Sequence, residues 1–109
     1  MSMTFETLAG DVTLIRIEGR LDATAAPDFQ IRLMTAIAEG RTCLAVDLSN
    51  VWFVDSTGLG VLVTGLKAAR RARGDLRLVA PSAPAMKLLK LTTLDRIFRM
   101  GETPDQAWA

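Results

Sequence analysis

The stretch Cys43-Leu44-Ala45-Val46-Asp47-Leu48, continued by Ser49-Asn50-Val51-Trp52-Phe53-Val54 into Asp55-Ser56-Thr57-Gly58-Leu59-Gly60, decides the fold. Its first six residues form a near-continuous apolar run, the pattern of a central strand covered on both faces. The next segment leads from that strand into a helix, which begins at Ser56, continues to about Arg73 and is closed by Gly74. A strand that feeds a helix in this way is half of a strand-helix-strand unit. In open sheets built from such units, sites gather beyond the carboxyl ends of the strands. Asp55 and Ser56 stand at that position.

The flanking segments fit the same architecture. Thr4 to Ala9 and Val12 to Glu18 read as two short strands joined at Gly10-Asp11, a hairpin. Gly19-Arg20-Leu21-Asp22 breaks the alternation and is expected to be a loop. From Ala26 to Glu39, Phe29, Leu33 and Ile37, with Ile31 and Met34, recur at helical spacing. Pro27 suits the first turn, Thr24 is the candidate N-cap and Gly40 the end. Leu76 to Ala80 is the next strand and Pro84 to Leu91 a short helix. Ile97 to Met100 is a last short strand, and Thr103 to Trp108 a terminal helical turn with Pro104 at its first position. The expectation is one α/β domain over 1–109, with a mixed central sheet opened by an N-terminal hairpin, about four helices and right-handed crossovers.

Composition narrows the function. The chain has 109 residues, enough to bury roughly two-thirds of its unfolded surface as one domain. Its net charge of +1 gives no bulk attraction to nucleic acid or to an anionic membrane. No apolar stretch approaches the ~20 residues of a membrane span. The N-terminus lacks the pattern of a signal peptide, so a cytoplasmic location is the default expectation. The single cysteine, Cys43, excludes an internal disulfide and reads as a small buried side chain. There is no histidine. That removes the usual neutral-pH base of a Ser-His-Asp triad and the nitrogen ligands of most zinc sites. With no G-x-S-x-G elbow and no G-x-x-x-x-G-K phosphate loop, the chain is expected not to be an enzyme and to need no cofactor or metal.

What remains is the Asp55-Ser56-Thr57 turn. Asp55 or Ser56 can cap the helix, since a short side-chain oxygen accepts from the free N–H groups there. A phosphate on Ser56 would also face those donors and the positive end of the helix dipole. A plain cap is the simpler reading, but it does not need Gly58, Gly60 and Gly65, each costing up to about 1 kcal/mol in a helix interior. Packing against the sheet is one explanation for them, and open access for a partner is the other. Leu59, Leu62, Val63 and Leu66 form the core stripe. Gly58, Val61, Gly65, Ala68 and Ala72 form a second stripe of small residues that a partner could approach closely. Lys67, Arg70, Arg71 and Arg73 suit the helix's C-terminal dipole and are also candidates for contact with an acidic partner. Trp52, Phe53 and Met86 are further candidate contacts, with Phe53 assigned to the core and Met86 beneath the helix start.

Phe53-Val54-Asp55-Ser56-Thr57-Gly58-Leu59-Gly60-Val61-Leu62 resembles the phosphorylation segment of bacterial anti-sigma factor antagonists, which are single STAS domains. Gly19-Arg20-Leu21-Asp22 resembles their Gly-Glu-Leu-Asp loop. Ala26-Pro27 and the tail from Met86 to Phe98 are also similar to that family. The resemblance implies a partner switch. The unphosphorylated chain would bind an anti-sigma factor, a GHKL-type serine kinase, and so free a sigma factor. The kinase would inactivate the chain by phosphorylating Ser56, with Thr57 the alternative acceptor, and a metal-dependent serine phosphatase would restore it. Asp22, Asp55, Ser56, Thr57, Gly58, Gly60 and Val61 would form the partner surface of a monomer or weak dimer. The alternative within the same fold is an accessory subunit of a lipid or anion transport system. Three positions depart from the pattern: Arg20 replaces a usual glutamate, Thr93 a frequent glycine and Lys90 an acidic residue.

Overall fold

A computed structural model describes residues 1–109. Strands β1 (Ser2–Thr7) and β2 (Thr13–Leu21) pair antiparallel across a 3-10 turn at Ala9–Asp11, which is the expected hairpin. Helix α1 (Ala26–Ala38) leads to β3 (Cys43–Val54), α2 (Ser56–Arg71) to β4 (Asp75–Val79), and α3 (Ala83–Leu91) to β5 (Met100–Gly101). Helix α4 (Pro104–Ala107) ends the chain. The sheet order is β1-β2-β3-β4-β5, with every pair after the hairpin parallel. The result is a five-stranded mixed sheet with four helices. No helix is long and apolar enough to cross a membrane.

The main core joins one face of the sheet (Ile15, Ile17, Val46, Leu76, Leu78) to Phe29 and Leu33 of α1, Leu62 and Leu66 of α2, and Leu89 of α3. The other face is covered only in part. Leu14, Ala45 and Val79 meet Ala107 there, with Trp108 packed alongside. Trp108 Nε1 donates to the Leu44 carbonyl at 3.2 Å, and the Arg77 guanidinium lies 4.0 Å from the Trp108 ring. The β3 run is therefore closed by three helices on one side and by one short terminal turn on the other. Cys43, at its edge, is half-buried rather than enclosed.

Several boundaries differ from expectation, each for a local reason. Gly19-Arg20-Leu21 is not a loop but the end of β2. The strand absorbs a register shift between Gly19, opposite Val51, and Arg20, opposite Phe53, with Gly19 at φ +100°. β3 likewise runs on through the polar Ser49-Asn50 to Val54, which pairs with Leu21. Thr24 does not cap α1. Asp22 Oδ1 instead accepts from the backbone N–H groups of Thr24 (3.1 Å) and Ala25 (3.2 Å). Ile31 is exposed on α1. Arg73, not Gly74, takes the left-handed conformation after α2, at φ +67°. Gly74 is required for another reason: an added Cβ would run into the Thr42 carbonyl. The last strand starts at Met100, because Leu94–Arg96 form a 3-10 turn.

Thr93 ends α3 at φ +59°. The left-handed region costs an L-residue roughly 1–2 kcal/mol, and β-branching does not relieve that. Thr93→Gly should therefore stabilise the fold by about 0.5–1 kcal/mol, after glycine's own entropy loss. Urea unfolding midpoints will show the gain, and an unchanged or lower midpoint would count against strain at this turn.

Asp75 ties α2 to β4. Its Oδ1 accepts from Arg70 Nε and the Leu76 N–H, and its Oδ2 from Arg77 Nε, all at 3.0 Å. Arg70 also donates to the Ile97 carbonyl at 3.2 Å, so it is engaged within the fold. Burial works to raise the Asp75 carboxyl's pKa, but Arg77 and Arg70 outweigh it and hold the value below the ordinary carboxylate range. The unfolded chain then binds more protons in acid than the folded one. Asp75's contribution is full above the unfolded carboxylate value, near pH 4, and is lost as pH falls through the lowered folded value. Asp75→Asn should flatten the acid limb of a stability-against-pH curve relative to wild type. An unchanged slope below about pH 4 would refute this role.

Candidate functional site

β3 ends at Val54, and the next residue turns the chain. Asp55 is extended, at φ −112° and ψ 179°, and occupies the N-cap of α2. Its Oδ1 accepts from the Gly58 N–H at 2.9 Å, the expected capping bond. Its Oδ2 accepts from the Ala23 N–H at 3.0 Å, and its own N–H donates to the Leu21 carbonyl at 3.3 Å. A single carboxylate thus caps α2 and fastens the β2–α1 loop to it.

That loop carries Asp22. Oδ1 takes the two backbone N–H groups of Thr24 and Ala25, and Oδ2 accepts from Arg20 Nε at 3.2 Å. The Ala25 N–H, followed by Arg20, draws the Asp22 pKa below the ordinary value. Asp22 is therefore ionised at neutral pH.

Ser56, Thr57 and Gly60 are exposed at the first turns of α2, whereas Gly58 and Val61 are buried beneath them. A Cβ at Gly58 would stand 2.8 Å from the Leu21 carbonyl carbon and nearer still to its oxygen. A Cβ at Gly65 would overlap Leu33. Gly58 serves the packing of α2 on the end of β2, and Gly65 its packing on α1. A Cβ at Gly60 meets nothing within 4 Å. The stripe of small residues is correspondingly not an open partner face: Gly58, Val61, Gly65 and Ala68 are buried, and Ala72 alone is exposed. What stays open is a groove of about 580 Å³ between the N-terminal halves of α1 and α2, where Pro27 and Ile31 face Thr57, Gly60 and Thr64.

The sequence-derived residues thus assemble at one end of the sheet. Asp22, Asp55, Ser56, Thr57 and Gly60 reach its surface, with Gly58 and Val61 as support. Phe53 is not core; it is 37% exposed, and Trp52 is 62% exposed. Met86 is half-buried. Two contributors escaped sequence reading. Ala23 and Leu21 bind Asp55 through backbone atoms, which leave no side-chain signature. Arg20 stacks on Trp52 and Phe53, more than thirty positions away in the chain. No three His, Cys, Asp or Glu side chains converge to hold a metal ion.

The family model of the STAS domain matches residues 6–107. The anti-sigma-B factor antagonist of Staphylococcus epidermidis is 30% identical over 103 residues, covering 94% of this chain and 95% of that protein. Among solved structures, a Thermotoga maritima protein provisionally described as an anti-sigma factor antagonist superposes with a TM-score of 0.90. It is 28% identical over 97% of this chain and 91% of its own. An anti-sigma factor antagonist from Mycobacterium paratuberculosis gives a TM-score of 0.86 at 27% identity, over 98% of this chain and 90% of its own.

Proposed function

We propose a partner-switch function for this chain, which belongs to the STAS domain family and, within it, to the anti-sigma factor antagonists. Unphosphorylated, it binds an anti-sigma factor that is a serine kinase of the GHKL type, and a sigma factor is released. The kinase then transfers the γ-phosphoryl group of ATP to Ser56. The Oγ–phosphorus bond forms, the bond to ADP breaks and the hydroxyl proton leaves to a base of the kinase. The modified chain no longer binds, and a metal-dependent serine phosphatase resets it. The chain itself supplies an acceptor and no catalytic group.

The observation that carries this reading is the exposed Ser56 hydroxyl on a helix start whose cap is already complete. Asp55 satisfies Gly58 and Ala23 without using Ser56, so modifying the serine does not dismantle the turn. A phosphate there also faces the positive end of α2. Incubation with the kinase and ATP should add one phosphate to the intact mass of wild type and of Thr57→Ala, and none to Ser56→Ala. Full incorporation into Ser56→Ala would move the acceptor to Thr57 or elsewhere.

A further inference from the structure

The register shift that ends β2 builds a second feature beside Ser56. Gly19 pairs with Val51 and Arg20 with Phe53, which leaves Trp52 as the extra residue of a bulge. Neighbouring side chains of a strand normally point to opposite faces. Here both rings meet one cation: the Arg20 guanidinium is 4.2 Å from the Phe53 centroid and 5.1 Å from that of Trp52. Both rings remain exposed, and the Arg20 side chain itself is 48% exposed. The fold does not need this arrangement for its core, because neither aromatic belongs to a core cluster.

Trp and Arg are the residue types that most often carry the binding energy of protein interfaces. A guanidinium stacked on rings is held in place and weakly hydrated, which favours a carboxylate partner. Asp22 uses only Nε of Arg20 in a hydrogen bond, leaving other N–H donors of the fork for a second acceptor. The platform is also continuous with the candidate site. Phe53 lies three residues before Ser56, and Asp22, which Arg20 holds, sits on the loop fastened by Asp55.

We infer that the Arg20–Trp52–Phe53 platform selects the partner: it seats an acidic segment of the anti-sigma factor kinase, with a carboxylate on Arg20 and an apolar side chain on Trp52. This rests on the switch reading above. The acidic segment also gives phosphorylation its leverage, since a phosphate on Ser56 would repel it.

The test uses the full chain and the purified kinase that phosphorylates Ser56. Adding kinase should shift Trp52 emission to the blue, and the shift should be absent in Trp52→Phe. Trp52→Ala and Arg20→Glu should each weaken binding about tenfold or more, Arg20→Glu the more strongly, with the difference shrinking at high salt. At saturating Arg20→Glu, Ser56 should still be phosphorylated at the wild-type kcat, with the loss confined to KM. Wild-type affinity in both variants, with Ser56 phosphorylated normally, would overturn the platform and leave the switch intact. A blue shift produced by raising the chain's own concentration would overturn it in favour of a second copy. Failure of any kinase to modify Ser56 would overturn the switch and the platform together.

Discussion

Gly58→Ala should lower the thermal unfolding midpoint by about 10 °C, one of the largest stability losses a single methyl can cause in this chain. The added carbon would press on the backbone carbonyl of Leu21, which cannot rotate away as a side-chain tip can. That carbonyl already accepts the Asp55 N–H, so any retreat also strains the cap of α2. Overpacking of this kind costs about 1–3 kcal/mol, more than the helix gains by losing a glycine. Gly60→Ala, two residues on, should do the reverse. Nothing lies within 4 Å of its added Cβ, so helix propensity alone acts and the midpoint should rise by about 5 °C. Calorimetry of the two variants and wild type decides the matter. Equal midpoints, or a loss at Gly60, would contradict the packing of α2 against the end of β2. A stabilising Gly60→Ala that binds the kinase less tightly would further assign Gly60 to partner access.

The fold was legible where one period rules a segment. Phe29 and Leu33 announce α1, Leu62 and Leu66 announce α2, and the Gly10-Asp11 turn announces the hairpin. Legibility failed where segments distant in the sequence meet in space. Helical spacing correctly grouped Gly58, Val61, Gly65 and Ala68 on one face of α2, but it could not say that α1 and Leu21 cover that face. Strand alternation put one of Trp52 and Phe53 inside, and Phe53 was assigned there; register shifts opposite Arg16–Glu18 and Gly19–Arg20 break the alternation and leave both exposed. Thr24 looked like a cap by residue type, yet Asp22 performs that work from two residues earlier. Asp55 was found as a cap, but its bond to Ala23, 32 positions away, has no trace in a local pattern. With the bond from the Asp55 N–H to the Leu21 carbonyl, it joins the two segments, Gly19–Ala23 and Asp55–Gly60, that sequence reading could only treat separately. Thr93 is instructive in the other direction. Its departure from a frequent glycine marked a real demand of the backbone, since the position is left-handed.

Ser56→Asp should weaken binding to the anti-sigma factor kinase about 100-fold while leaving the fold intact. The stability half follows from position. Ser56 is the first residue of α2, and an acidic side chain there complements the dipole, so its unfolding midpoint should equal or exceed that of wild type. The affinity half follows from what surrounds it. Asp55 and Asp22 already present carboxylates at this end of the sheet, each satisfied within the chain. Asp22 titrates below the ordinary carboxylate range, so its charge persists throughout the physiological range. A third negative charge adds to these, and the nearby cation, Arg20, is already paired with Asp22. The added charge must be desolvated against the partner or face an acidic segment, and like charges brought together at an interface cost several kcal/mol. Ser56→Asn separates charge from shape. The amide matches the carboxylate in size and carries no charge, so its affinity should stay within about threefold of wild type, and raising salt should recover part of the Ser56→Asp loss but leave Ser56→Asn unchanged. Equal losses in the two variants would mean that the partner reads the size of residue 56, and the switch would then be steric. Wild-type affinity in Ser56→Asp would mean that charge at this position does not gate binding.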